Sequence, residues 1–209
     1  MLNLDILSRA PVAAEPFPYL QAAHLLDAPT LARITADFPH IDKPGIFPLS
    51  ELSYGEAFAE LVEEIRGPRL ELLLGQKFGL DLSDKPLMIT VRGRCQKRDG
   101  RIHTDSLDKL LTCLLYLNGP EWREEGGSLR LLRNGWSLDY PIAEVAPVGG
   151  NFVAFKRTEN SWHGHSPFIG ERRYVMFNWL RSETALAKNL GRHKLSAAFK
   201  RLGLIGDRS

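Results

Sequence analysis

The sequence predicts an α+β fold: a double-stranded β-helix, or jelly roll, with N-terminal and C-terminal helices packed on the sheet. Three observations lead there. Helical stripes occupy the first 85 residues; short β-rich runs bounded by Gly, Asn, Asp and Pro follow from Pro86; and a helical period returns after Arg181. Strands at such spacing, with no helices between them, pair antiparallel in a sandwich or barrel rather than in a βαβ sheet. Several are apolar at nearly every position, Tyr174 to Trp179 most clearly, as expected of strands covered on both faces.

The elements follow in chain order. Asp27 and Pro29 are helix start signals ahead of Leu31, Ile34 and Phe38. Phe58, Leu61, Val62 and Ile65 form the stripe of a second helix, and Gly67-Pro68 separates it from a third through Leu70, Leu73, Leu74 and Phe78. The strand runs are LMITV, TCLLYLN, SLRLL, NFVAF and RYVMFNWL, and a last helix carries Leu195, Phe199 and Leu202 after Gly191. No repeat or linker divides the chain, so residues 1–209 are read as a single domain. Residues 1–85 are its mostly helical support, 86–180 its jelly-roll core and 181–209 a basic helical end.

Composition narrows the function classes. A chain of 209 residues, 44% hydrophobic and 25% charged, is long enough for a sizeable core. No apolar run approaches the roughly 20 residues of a membrane span, and the start of the chain lacks the basic-then-apolar pattern of a signal peptide. A cytoplasmic protein with no membrane partner is expected. Cys95 and Cys113 make no metal-ligand spacing and are expected to be reduced. Residues 181–209 hold seven Lys/Arg against two acids, whereas the rest of the chain is net negative. That end is read as the solvated face of a tail helix, and no nucleic-acid partner is assigned to it.

Two segments carry chemistry. In Ile102-His103-Thr104-Asp105, a histidine and a carboxylate stand two apart, so an extended backbone turns both to one side. Far downstream, Ser161-Trp162-His163-Gly164-His165 lies between two strand runs and offers a third ligand. Two histidines and one carboxylate make the facial triad of non-haem Fe(II) oxygenases, which leaves three corners of an octahedron open. A closed structural zinc site would need four ligands, commonly with cysteines in pairs, and the chain has no such pair.

An Fe(II) oxygenase that uses 2-oxoglutarate must also hold the far carboxylate of that dicarboxylate, a task suited to the fork of an arginine on a nearby strand. The segment Gly170 to Trp179 supplies Arg172 and Arg173. Alternation places Arg173 with Val175, Phe177 and Trp179, a wholly apolar face suited to an interior, and Arg172 with Tyr174, Met176 and Asn178. Arg173 is therefore the expected anchor. The cation-rich loop Arg92 to Arg101 reads either as a solvated turn or as an edge for an anionic substrate. Lys109, Trp122, Trp136 and Trp162 are candidates for lining the site or its entrance.

The sequence resembles the iron(II)- and 2-oxoglutarate-dependent oxygenases of the prolyl-hydroxylase-like branch at four places in order. His103-x-Asp105 matches the first two iron ligands. Thr112 to Asn118 and Gly126-Gly127-Ser128-Leu129-Arg130 look like the following strand pair, and Pro147-x-x-Gly150-Asn151-Phe152-Val153-Ala154-Phe155 resembles the turn and strand before the distal histidine. His163, with Pro167 four later and Arg173 ten later, matches that histidine and the cosubstrate arginine. The resemblance spans about residues 86–180.

What the resemblance implies is a dioxygenase that splits 2-oxoglutarate to succinate and carbon dioxide while hydroxylating a C–H bond. Fe(2+) would be held by His103, Asp105 and His163, with 2-oxoglutarate and O2 as cosubstrates and ascorbate as an accessory reductant. Tyr116 matches a tyrosine that hydrogen-bonds the far carboxylate in relatives. His165, Arg94 and Trp162 are the substrate-pocket candidates, for a small molecule or a protein side chain such as proline; no oligomeric state is implied. The rival readings are a silent jelly-roll binding protein, which should lack a ligand or the arginine, and a cupin-like metal enzyme, which would not need the arginine.

Overall fold

The computed structural model describes residues 1–119, 122 and 126–191. Its elements are α1 (Leu4–Arg9), β1 (Tyr19–Ala22), α2 (Ala28–Ala36), β2 (Phe47–Pro48), a 3-10 turn (Leu49–Glu51), α3 (Glu56–Arg66) and α4 (Pro68–Phe78). Then come β3 (Leu87–Cys95), β4 (Lys109–Tyr116), β5 (Leu129–Leu131), β6 (Ala143–Val145), β7 (Phe152–Lys156), β8 (His163–Gly164) and β9 (Gly170–Leu180). A helical segment, 183–191, runs to the end of the described residues. Leu195, Phe199, Leu202 and most of the basic C-terminal residues lie outside them.

The helix ends follow their sequence signals. Asp27 Oδ1 accepts the Thr30 N–H at 2.8 Å, capping α2, and Pro68 opens α4, which closes on Gly79 at φ 60°. The start of α3 is capped from a distance: Asp37 Oδ2 accepts the Ala57 N–H at 2.7 Å. Gly55 is required there, because a Cβ would overlap the Asp37 carboxyl.

Two antiparallel sheets build the β part. The larger runs in the order β1-β7-β4-β9-β3-β2 and the smaller in the order β6-β5-β8. The five strand runs read from the sequence are β3, β4, β5, β7 and β9. The short strands β1, β2, β6 and β8 are additions that complete the sheet edges.

β9 sits at the centre of the large sheet, between β3 and β4, and its two faces differ. Val175, Phe177 and Trp179 pack with Leu61, Val62, Ile65 and Leu74 of α3 and α4 in the main core. Tyr174 and Met176 pack on the opposite side with Leu114, Tyr116, Leu129 and Leu131, between the two sheets. The dry layer thus lies under the helices. The intersheet space holds the polar groups.

Candidate active site

A cavity of about 340 Å³ opens between the sheets. His103, Asp105 and His163 meet in its wall, each offering one ligand atom, and these atoms lie within 4.8 Å of one another. His103 comes from a loop rather than a strand. It is joined to His163 of β8 by an isolated antiparallel bridge whose two backbone hydrogen bonds, His103 N–H to His163 O and the reverse, are both 3.0 Å. The two rings stand 4.3 Å apart between centroids.

The donor set suits a metal ion. His103 Nδ1 lies 2.8 Å from Arg101 O, and His163 Nδ1 lies 2.9 Å from Ser161 O. Carbonyls accept from N–H groups, so the neutral form of each ring carries its proton on Nδ1 and presents the Nε2 lone pair as a ligand. Burial pushes the His163 imidazole down to about 4, which keeps it neutral.

Asp105 is buried, and burial by itself would raise its pKa. Lys109, His163 and a hydroxyl donor outweigh that effect and hold it well below the usual carboxylate range. Lys109 Nζ donates to Asp105 Oδ1 at 2.7 Å, and Thr112 Oγ1 donates to Oδ2 at 2.5 Å. Thr112 Oγ1 in turn accepts from Asn178 Nδ2 at 2.8 Å, across the β4–β9 register pair. The carboxylate orientation is therefore set by a chain of side chains reaching into the middle of the sheet.

The arginine that reaches this cavity is Arg172, which corrects the expected strand phase. Arg172 is buried in the cavity wall; its Nε donates to Gly127 O at 2.7 Å and its Nη2 to Tyr116 Oη at 2.8 Å. Its guanidinium lies 5.2 Å from the Tyr116 ring centroid and 5.1 Å from that of Tyr174. Arg173 points the other way, bonded to Glu171 at 2.8 Å and lying over Phe38. The apolar face it shares with Val175, Phe177 and Trp179 is the one under the helices. Burial raises the Tyr116 phenol to about 12, so it remains a hydrogen-bond donor.

The substrate-pocket candidates separate as well. His165 lines the cavity, whereas Arg94 and Trp162 are absent from its wall. Arg94 is exposed and bridges to Pro44, and Trp162 packs over Gly135. Trp136 is 84% exposed, and Trp122 donates to Glu171 O at 3.1 Å. Lys109, one of the lining candidates, is in the wall.

Sequence reasoning missed the part played by Arg92, which lines the cavity, donates to Tyr174 Oη at 2.9 Å and pairs with Asp99 at 2.5 Å. Its signal was a cation inside the run LMITVRGRC, because an arginine buried in a strand must meet an acceptor or an anion. Thr112 and Asn178 gave no comparable signal.

Comparisons with known proteins agree with this geometry. Residues 93–181 match the 2OG-Fe(II) oxygenase superfamily. A prolyl-4-hydroxylase structure from Pseudomonas putida aligns over 85% of this chain and 97% of its own, with a TM-score of 0.56 and 22% identity. A prolyl 4-hydroxylase of Phytophthora capsici covers 85% of this chain and 68% of its own, at 0.52 and 21%. An oxidoreductase of the 2OG-Fe(II) oxygenase family from Burkholderia pseudomallei covers 78% and 84%, at 0.51 and 15%. No curated protein sequence matches.

The match spans the segment that holds His103, Asp105, His163 and Arg172, and similarity to that superfamily implies a dioxygenase that works with Fe(2+), 2-oxoglutarate and O2. The chain's fold is that of the prolyl-hydroxylase-like members. Among the described residues, no helix is long and apolar enough to cross a membrane.

Proposed function

We propose that this chain is a hydroxylase that couples oxidative decarboxylation of 2-oxoglutarate to hydroxylation of a small-molecule or peptidyl substrate. The observation that carries the reading is the convergence of His103, Asp105 and His163 on one side of a cavity whose other side holds the Arg172–Tyr116 pair. We read the described residues as one double-stranded β-helix unit in which 1–85 supply the edge strands β1 and β2 and the helices packed on the large sheet. The prolyl hydroxylases among its structural likenesses keep a prolyl side chain in the substrate class.

In this reading His103 Nε2, His163 Nε2 and an Asp105 oxygen hold Fe(II), which supplies the redox chemistry when bound. Arg172 and Tyr116 bind the far carboxylate of 2-oxoglutarate, the guanidinium by charge and the phenol by a donated hydrogen bond. Leu114, Leu129 and Met176 line the space between the two ends and keep water from it. Thr112 and Lys109 fix Asp105, and the Ser161 and Arg101 carbonyls fix the imidazoles. The overall change consumes one O2 and one 2-oxoglutarate and yields succinate, carbon dioxide and the alcohol.

The test is anaerobic titration of the protein with Fe(II) and then 2-oxoglutarate. Formation of the chelate gives a weak visible charge-transfer band in the wild type and none in Asp105→Ala. A wild type that binds neither would overturn the reading.

A further inference from the structure

We propose that the substrate presents a carboxylate close to its oxidised carbon, and that Lys109 binds that carboxylate. This rests on the proposed function and names its substrate class. The observation is an imbalance of charge. Within the cavity wall, Arg92 is paired with Asp99, while Lys109 and the metal site both lean on the single carboxylate of Asp105.

With Fe(II) and 2-oxoglutarate bound, the ion's two charges are met by Asp105 and by the chelating carboxylate of the keto acid. Arg172 is met by the far carboxylate. Lys109 then shares the Asp105 carboxylate with the ion, which leaves the described residues of the wall one positive charge in excess. Asp108, its chain neighbour, is turned toward Lys188 and Asn189 instead.

A buried ammonium whose counter-ion is also claimed by a divalent cation is under-compensated, and an incoming anion removes that cost. Place limits the anion further. Lys109 Nζ is 2.7 Å from Asp105 Oδ1, so a carboxylate on Lys109 sits within a few bonds of any carbon at the metal. The Ser106 hydroxyl, a buried oxygen with no hydrogen-bond partner, lies in the same part of the wall and offers a donor to the same group. The loop that forms the neighbouring wall through Gly100 carries Lys97, Arg98 and Arg101, all exposed, which favours the approach of an anion.

The carboxylate has two sources, a small acid or an acidic side chain in a peptide, and two arms of one experiment separate them. The protein is loaded with Mn(II) and 2-oxoglutarate, and broadening of probe proton signals by the paramagnetic ion reports binding near the metal without turnover. One arm uses N-acetyl amino acids, each matched with its primary amide. The other uses end-blocked peptides containing Asp or Glu, matched with Asn or Gln.

In one arm the acid should be broadened at about tenfold lower concentration than its amide, as a charged hydrogen bond requires. Lys109→Met, which loses the bond to Asp105 and is therefore loaded at saturating Mn(II), should erase that preference. Acids and amides behaving alike in both arms, a comparison that needs no variant, would overturn the proposal. So would a preference that survives in Lys109→Met. Failure of the wild type to bind Mn(II) would overturn the metal reading itself, an outcome distinct from the loss of acid preference.

Discussion

The Arg172 guanidinium and the Tyr116 hydroxyl, 56 residues apart in sequence, are joined by a 2.8 Å hydrogen bond across the strands β9 and β4. The register that pairs Tyr116 with Tyr174 brings them together, and the Gly127 carbonyl holds the guanidinium from its other side. The pair is thus set before any ligand arrives, with its charge directed into the cavity.

Arg172→Ala should raise the 2-oxoglutarate concentration for half-maximal succinate release by roughly 10- to 100-fold, the worth of a charge-assisted bond. Arg173→Ala, its neighbour on the helix side of the sheet, should change that concentration less than about twofold. Succinate release measured against 2-oxoglutarate concentration checks both.

That pair also shows how far the sequence could be read. The five strand runs, three helices and the three residues that meet in the candidate metal cluster were legible because each rests on a local pattern. The phase of β9 was not. Its apolar positions Val175, Phe177 and Trp179 identify a buried face, but a sheet covered by helices on one side and by a second sheet on the other has two. The face that opens on the cavity is the one with Arg172, Tyr174 and Met176, and a rule that equates apolar with interior selects the other one. Thr112 and Asn178 were hidden for a related reason. Their pairing depends on β4–β9 register, which no single segment encodes.

Asp105→Ala should weaken Mn(II) binding by more than about 100-fold, because two neutral imidazoles are poor ligands for a hard cation. Water-proton relaxation during metal titration measures it. Circular dichroism of the same samples separates loss of the ligand from loss of the fold.

Thr112→Val keeps the size of the side chain but removes the donor to Asp105 Oδ2 and the acceptor for Asn178. Loss of such an outer contact lowers metal affinity by about 10-fold or more. Asn178→Ala should give a smaller loss in the same titration, since it acts through Thr112.

Gly100→Ala places a methyl group where φ is 85° and where a Cβ would overlap the His165 ring. Strain of this kind costs about 1–3 kcal/mol. A thermal melt should fall by several degrees, and the displaced His165 should alter substrate affinity more than 2-oxoglutarate affinity.

The reciprocal backbone bonds between His103 and His163 carry one more consequence. They close a loop of 60 residues as part of the fold itself, so the entropy of bringing those ligands together is spent during folding. A metal ion then meets a nearly finished seat. The apo chain should accordingly fold without metal, unlike small domains that need zinc to hold their shape, and a chelator should strip the ion while leaving the scaffold standing.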